Sequence, residues 1–137
     1  MRIAAMKLLE RKANGSISEV ISVPDFEISD DFYVSLFNVH LSEGNGKPNF
    51  QKIEGETDII SFYSGNKDVF MVEPNYVLIL IPDGAWDEKD FIRVSRILIN
   101  NVLIHLHDPN LEQYITGVLK KIETEGIASL TIEKKQD

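Results

Sequence analysis

No cysteine occurs anywhere in the 137 residues. That absence excludes a disulfide framework, a thiolate zinc site and a cysteine nucleophile together. Long hydrophobic runs are missing too. The longest, Tyr76 to Pro82, is strand-sized, far short of the roughly 18 residues that a membrane span needs. Charge interrupts the N-terminus at Arg2 and Lys7, too early for the apolar core of a signal peptide, so a cytoplasmic chain is the expectation. Basic residues are outnumbered, 14 against 22 acids, for a net charge of −8. The imbalance is concentrated: residues 25–88 carry thirteen acids against Lys47, Lys52 and Lys67. An acidic middle repels phosphate backbones, so nucleic acid is not an expected partner. The same segment reads either as a solvated surface or as a patch that meets a basic protein.

What is present suits one ordinary globular domain over residues 1–133, with 134–137 as a loose tail. Apolar residues make up 43% and charged residues 26%, and a chain of this length buries enough surface to need no covalent staple. Residues 3–23 read as a hairpin around Asn14-Gly15, the dipeptide that best tolerates the positive φ angles of a tight hairpin turn. Simple alternation puts Ile17, Glu19 and Ile21 on one side of the returning strand, which Pro24 stops. Over residues 25–43, Ser29 suits a helix cap. Tyr33, Leu36, Phe37, His40 and Leu41 then share a helical face, although the β-favouring residues there also fit a strand. Phe50 to Ile60 is expected to enter a sheet that Ile59 to Tyr63 continues. Val69 to Val72 returns, and the nearly all-apolar Tyr76 to Ile81 is expected to be a central strand covered on both faces. Asp87 would cap a helix to about His107, with Lys89, Arg93, Arg96 and Asn100 as its polar stripe. Asp108 and Pro109 would start a second helix, Gly126 would stop it in the left-handed region, and Ile127 to Glu133 would form a short last strand. The fold class is therefore α+β, an antiparallel sheet of about five strands with helices packed on it.

Few residues suggest chemistry. His105 and His107 could share a metal on a strand, but on the expected helix they lie about 200° apart. Gly44-Asn45-Gly46-Lys47 lacks the spacing of a phosphate loop, and no nucleophile elbow is present. Asp30-Asp31, Asp83 and Asp87-Glu88 lack the companions of a glycosidase pair or a calcium loop. A non-enzyme without metal or cofactor is the expectation. Glu54, Glu56 and Asp58 would share one strand face, either the wet side of the sheet or a contact for a basic partner. Trp86, at the mouth of the long helix, is either a staple against Asp90 to Ile92 or an exposed interface anchor. Beyond Asn101 the helix is apolar all round. Ile99, Leu103 and Leu106 are then buried in an intramolecular helical hairpin or exposed as a homodimer contact.

The order of elements resembles the longin and roadblock group of small, profilin-like domains. Met6 to Arg11, Asn14-Gly15 and Val20 to Ser22 carry the likeness of the opening hairpin, and Asp30 to Leu41 stands at the first helix. Ile59 to Tyr63, Val69 to Glu73 and Tyr76 to Ile81 match the three-strand meander, and Phe91 to Leu106 matches the long helix. The likeness covers residues 3–107, and the expected last strand departs from the group. The resemblance implies a non-catalytic, dimerising platform for a small GTPase or for a trafficking or motility complex. The alternative from charge alone is an acidic inhibitor or antagonist, of viral or immunity type, that occludes a basic surface.

Overall fold

Two runs of strand-forming residues open the chain as β1 (Ile3–Arg11) and β2 (Ile17–Val23), paired antiparallel. The structure, a computed structural model, describes residues 2–12, 16–44, 49–53, 59–63, 75–127 and 130. The Asn14-Gly15 turn lies outside them. Simple alternation fails in β2. Leu8 stands opposite Ile21 but Leu9 opposite Glu19, which leaves Val20 as an extra residue. Such a bulge moves every following side chain to the other face. Ile17 accordingly packs on one side of the sheet, and Ile21 and Val23 are buried on the other. Pro24, which has no N–H to donate, follows the end of the strand.

Helix rather than strand forms over α1 (Asp30–Gly44). Ser29 caps it, with the Phe32 amide donating to Ser29 Oγ at 3.2 Å. Leu36, Phe37 and His40 are buried and Tyr33 is half-buried, so the expected face is the one laid on the sheet. Phe50 to Tyr63 is not one continued strand. β3 (Asn49–Ile53) and β4 (Ile59–Tyr63) pair antiparallel, with Asn49 opposite Tyr63 and Ile53 opposite Ile59. The chain therefore reverses between them. The expected Val69 to Val72 strand lies outside the described residues.

β5 (Asn75–Pro82) is central, as its apolar run predicts. The sheet order is β2-β1-β5-β4-β3, every pair being antiparallel. Alternate residues of β5 feed two cores. Val77 and Ile79 join Leu9, Tyr63, Leu36 and Phe37 beneath α1. Leu78 and Leu80 join Met6, Leu8, Ile60 and Phe62 on the opposite face. There they meet α2 (Glu88–Ile104) and α3 (Leu111–Glu125), which supply Phe91, Val94, Leu98 and Val102, and Ile115 and Ile122. The result is an α+β fold with one helix on one face of the sheet and two on the other.

Helix ends differ in detail from expectation. Asp87 caps α2 as predicted, its carboxylate accepting the Asp90 amide at 3.2 Å. The helix ends at Ile104, before the two later histidines, because His105 is the capping residue and donates its amide to Asn101. α3 starts at Leu111 rather than Pro109. Pro109 and Asn110 form a turn that Asp108 still holds, accepting the Asn110 amide at 2.8 Å. Gly126 ends α3 with φ 85° and ψ 172°. Its φ is positive as expected, but its ψ is extended rather than left-handed helical. A strand over 127–133 is not seen at the residues described there. The Leu130 amide donates to the Ile127 carbonyl at 2.9 Å, and the rest lies outside the described residues. Among the described residues, no helix is long and apolar enough to cross a membrane.

Candidate functional site

Lys7 and Ser61, which sequence reasoning passed over, lie beneath α1 together with His40. Lys7, on β1, is only 2% exposed. A buried ammonium must be paired, and here its Nζ donates to Glu19 Oε1 and to the Phe26 carbonyl, with the Phe26 ring centroid 4.5 Å away. The β2 bulge is what makes this pairing possible, because it puts Glu19 on the α1 side, diagonal to Lys7. Burial pulls the Lys7 pKa down, but hydrogen bonds to Glu19 and Tyr33 outweigh it and hold the ammonium above its ordinary value. The lysine thus ties β1, β2 and the segment leading into α1 to one point.

His40 and Ser61 form the second buried polar contact. His40 Nε2 lies 2.7 Å from Ser61 Oγ, and both residues are fully buried. That distance suits a serine with its general base. Both groups are sealed between α1 and β4, however, so the contact acts as a polar cross-link of helix to sheet. Tyr63, whose ring centroid is 5.8 Å from that of His40, closes the same space.

The sequence-selected residues do not converge. Trp86 is half-buried and meets Phe91 edge to face at 5.0 Å, the residues before the cap and four into the helix, which is the geometry of a hydrophobic staple. Ile99 is buried in the α2 and α3 core and has no surface to offer a partner. Leu103 is half-buried against the same core, and Leu106 is half-buried in the turn after the helix rather than on it. Glu54, Glu56 and Asp58 lie outside the described residues. His107 is exposed in the turn, while the His105 ring lies tilted against Tyr114, centroids 4.3 Å apart, and 3.9 Å from Asp108. Two of the acids weighed as chemistry serve the fold: Asp83 pairs with Arg2 at 3.3 Å, and Asp87 caps α2.

The outer helix faces differ in kind. α2 shows Lys89, Arg93 and Arg96 to solvent, and α3 shows Glu112, Lys120 and Glu123. α1 shows Val34 and Val39, 49% and 44% exposed, with Ser35 and Asn38 between them. No Asp, Glu, Lys or Arg occurs from Phe32 through Ser42. Asp25, Glu27 and Asp31 are exposed just before this stretch. An open groove of about 380 Å³ lies on the other side of the molecule, between α2 and α3. No protein-family model, curated protein or solved structure matches the chain.

Proposed function

We propose that this chain is a non-catalytic protein-interaction module of longin and roadblock type, a platform for a small GTPase or for a trafficking or motility complex. The observation that carries the reading is the outer face of α1. A solvent-facing helix normally carries charge on its wet side, as α2 and α3 do. The exposed residues described between Phe32 and His40 are Val34, Ser35, Asn38 and Val39, none of them charged; loss of charge at the centre of a patch is the compositional mark of an interface. Element order supports the same reading: an opening hairpin, a helix, antiparallel strands and a long helix follow one another as the resemblance implies.

Purified small GTPases in GDP-bound and GTP-analogue-bound states provide the test, with binding read by interferometry and mass by light scattering. Binding to at least one GTPase is expected, and it should weaken about tenfold or more when Val34 and Val39 both become Lys, given how strongly interface centres depend on a few residues. Circular dichroism should show the double variant folded, since both side chains are exposed. A wild-type monomer that binds no GTPase in either state would overturn the reading.

A further inference from the structure

We propose that the groove between α2 and α3 binds a short extended peptide segment carrying an acidic residue, donated by a partner protein. The starting point is Gly117. It lies in the middle of α3, where glycine weakens a helix relative to alanine. Such a residue is normally explained by a neighbour that needs the space. Here a Cβ at Gly117 would meet nothing within 4 Å, so packing within the described chain does not call for glycine. Gly117 lines the groove, and its missing side chain lets another main chain approach the helix backbone closely.

The rest of the lining fits a peptide better than a small molecule. The groove is open to solvent rather than enclosed, whereas a drug-sized ligand needs most of its surface enclosed. Gln113, Gly117 and Lys121 line it from α3 at intervals of one helical turn, and Asn101 lines it from α2. A carboxamide such as that of Gln113 both donates and accepts, matching the N–H and C=O of an extended chain. Tyr114 and Leu130 supply apolar wall. From Gln113 to Lys121 the helix rises about 12 Å, the length of roughly four extended residues. Lys121 is exposed at the far end, where it would meet a carboxylate. The groove is on the opposite face of the sheet from α1, so this site is independent of the surface proposed above.

The probe is the blocked peptide acetyl-Val-Thr-Val-Glu-amide, whose β-branched residues favour the extended state, titrated to millimolar concentration into the ¹⁵N-labelled full chain. A control peptide carries Gln in place of Glu. Amide shifts are expected at Asn101, Gln113, Gly117 and Lys121, smaller with the control and reduced by Lys121→Glu. Gly117→Ala is the decisive variant. It should raise Tm by a few degrees while weakening peptide binding about tenfold, and a merely structural glycine would not separate the two readouts. Shifts unchanged by Gly117→Ala, a lowered Tm in that variant, or no groove shifts at all would each overturn the proposal. The Val34 and Val39 double variant should bind the peptide normally, so failure at α1 and failure at this groove are distinguishable.

Discussion

Replacing Lys7 tests whether the buried ammonium or its aliphatic stem does more for the fold. Lys7→Met keeps most of the stem and removes the charge. It leaves the Phe26 carbonyl short of a donor, a loss of about 1–3 kcal/mol if that group stays dry. Against this, an ammonium no longer has to be desolvated, a cost of several kcal/mol per ion in proteins. Glu19 is 40% exposed and returns to water cheaply, so the net change should stay within about 2 kcal/mol. Lys7→Ala removes the stem as well and leaves a cavity, so it should cost about 2–5 kcal/mol. Glu19→Ala strands the ammonium, but water can reach the vacated side, so about 1–3 kcal/mol is expected rather than the full cost of breaking a sealed pair. The sign of the pH dependence follows from the raised pKa of Lys7. Its stabilising contribution is complete below the unfolded value near 10.5 and is lost as pH climbs through the folded value. Tyr76 is raised as well, first by burial and then by the nearby Glu10 carboxylate, and loses its contribution over the same alkaline range. Urea unfolding at pH 7 and pH 11 should therefore show wild type losing stability at high pH, with Lys7→Met and Tyr76→Phe each removing a separate part of that loss. If Lys7→Met proves as damaging as Lys7→Ala, and its alkaline loss equals that of wild type, the reasoning is refuted.

Leu103→Glu places a carboxylate against the α2 and α3 core and should cost about 2 kcal/mol or more, read by chemical denaturation, with the light-scattering mass unchanged; wild-type stability with a halved mass would instead make Leu103 a dimer contact. Gly126→Ala forces a side chain into φ 85° and ψ 172°, a region almost reserved for glycine, so it should lower stability by about 1–3 kcal/mol in a thermal melt. Gly117→Ala, with ordinary helical geometry, should move Tm in the opposite direction, and equal shifts for the two would deny that backbone conformation separates them.

Local periodicity made α1 legible: Leu36, Phe37 and His40 recur at helical spacing behind Ser29, and those residues are the buried ones. β5 was legible because a strand covered on both faces has no polar alternation to show. The β3 and β4 reversal had a signal that went unused. Gly55 sits among polar residues between two apolar runs, which favours a break over a continuous strand. The shared strand face expected for Glu54, Glu56 and Asp58 falls between β3 and β4, outside the described residues. For Ile99 periodicity left two alternatives open, burial within the chain or a homodimer contact, and the structure buries it. An apolar helix half announces burial without saying against what, and here α3 covers the same sheet face within the chain.

The buried lysine was not legible at all, and the cause is the bulge at Val20. A cation between Met6 and Leu8 reads as the wet position of a strand, because alternation cannot tell a solvated face from one later covered by a helix. Had β2 kept simple alternation, the face carrying Ile21 would also have carried Glu19. The carboxylate would then have stood on the α2 and α3 side of the sheet, with Lys7 on the other. One extra residue moves Glu19 and Ile17 together to the α1 side while Ile21 and Val23 stay on the opposite core. A single register shift thus satisfies two requirements that conflict under strict alternation, apolar residues for both cores and a counter-charge for Lys7. Such a shift is a tertiary choice, stable only once both helical layers are in place, so residues 17–23 taken alone carry no sign of it.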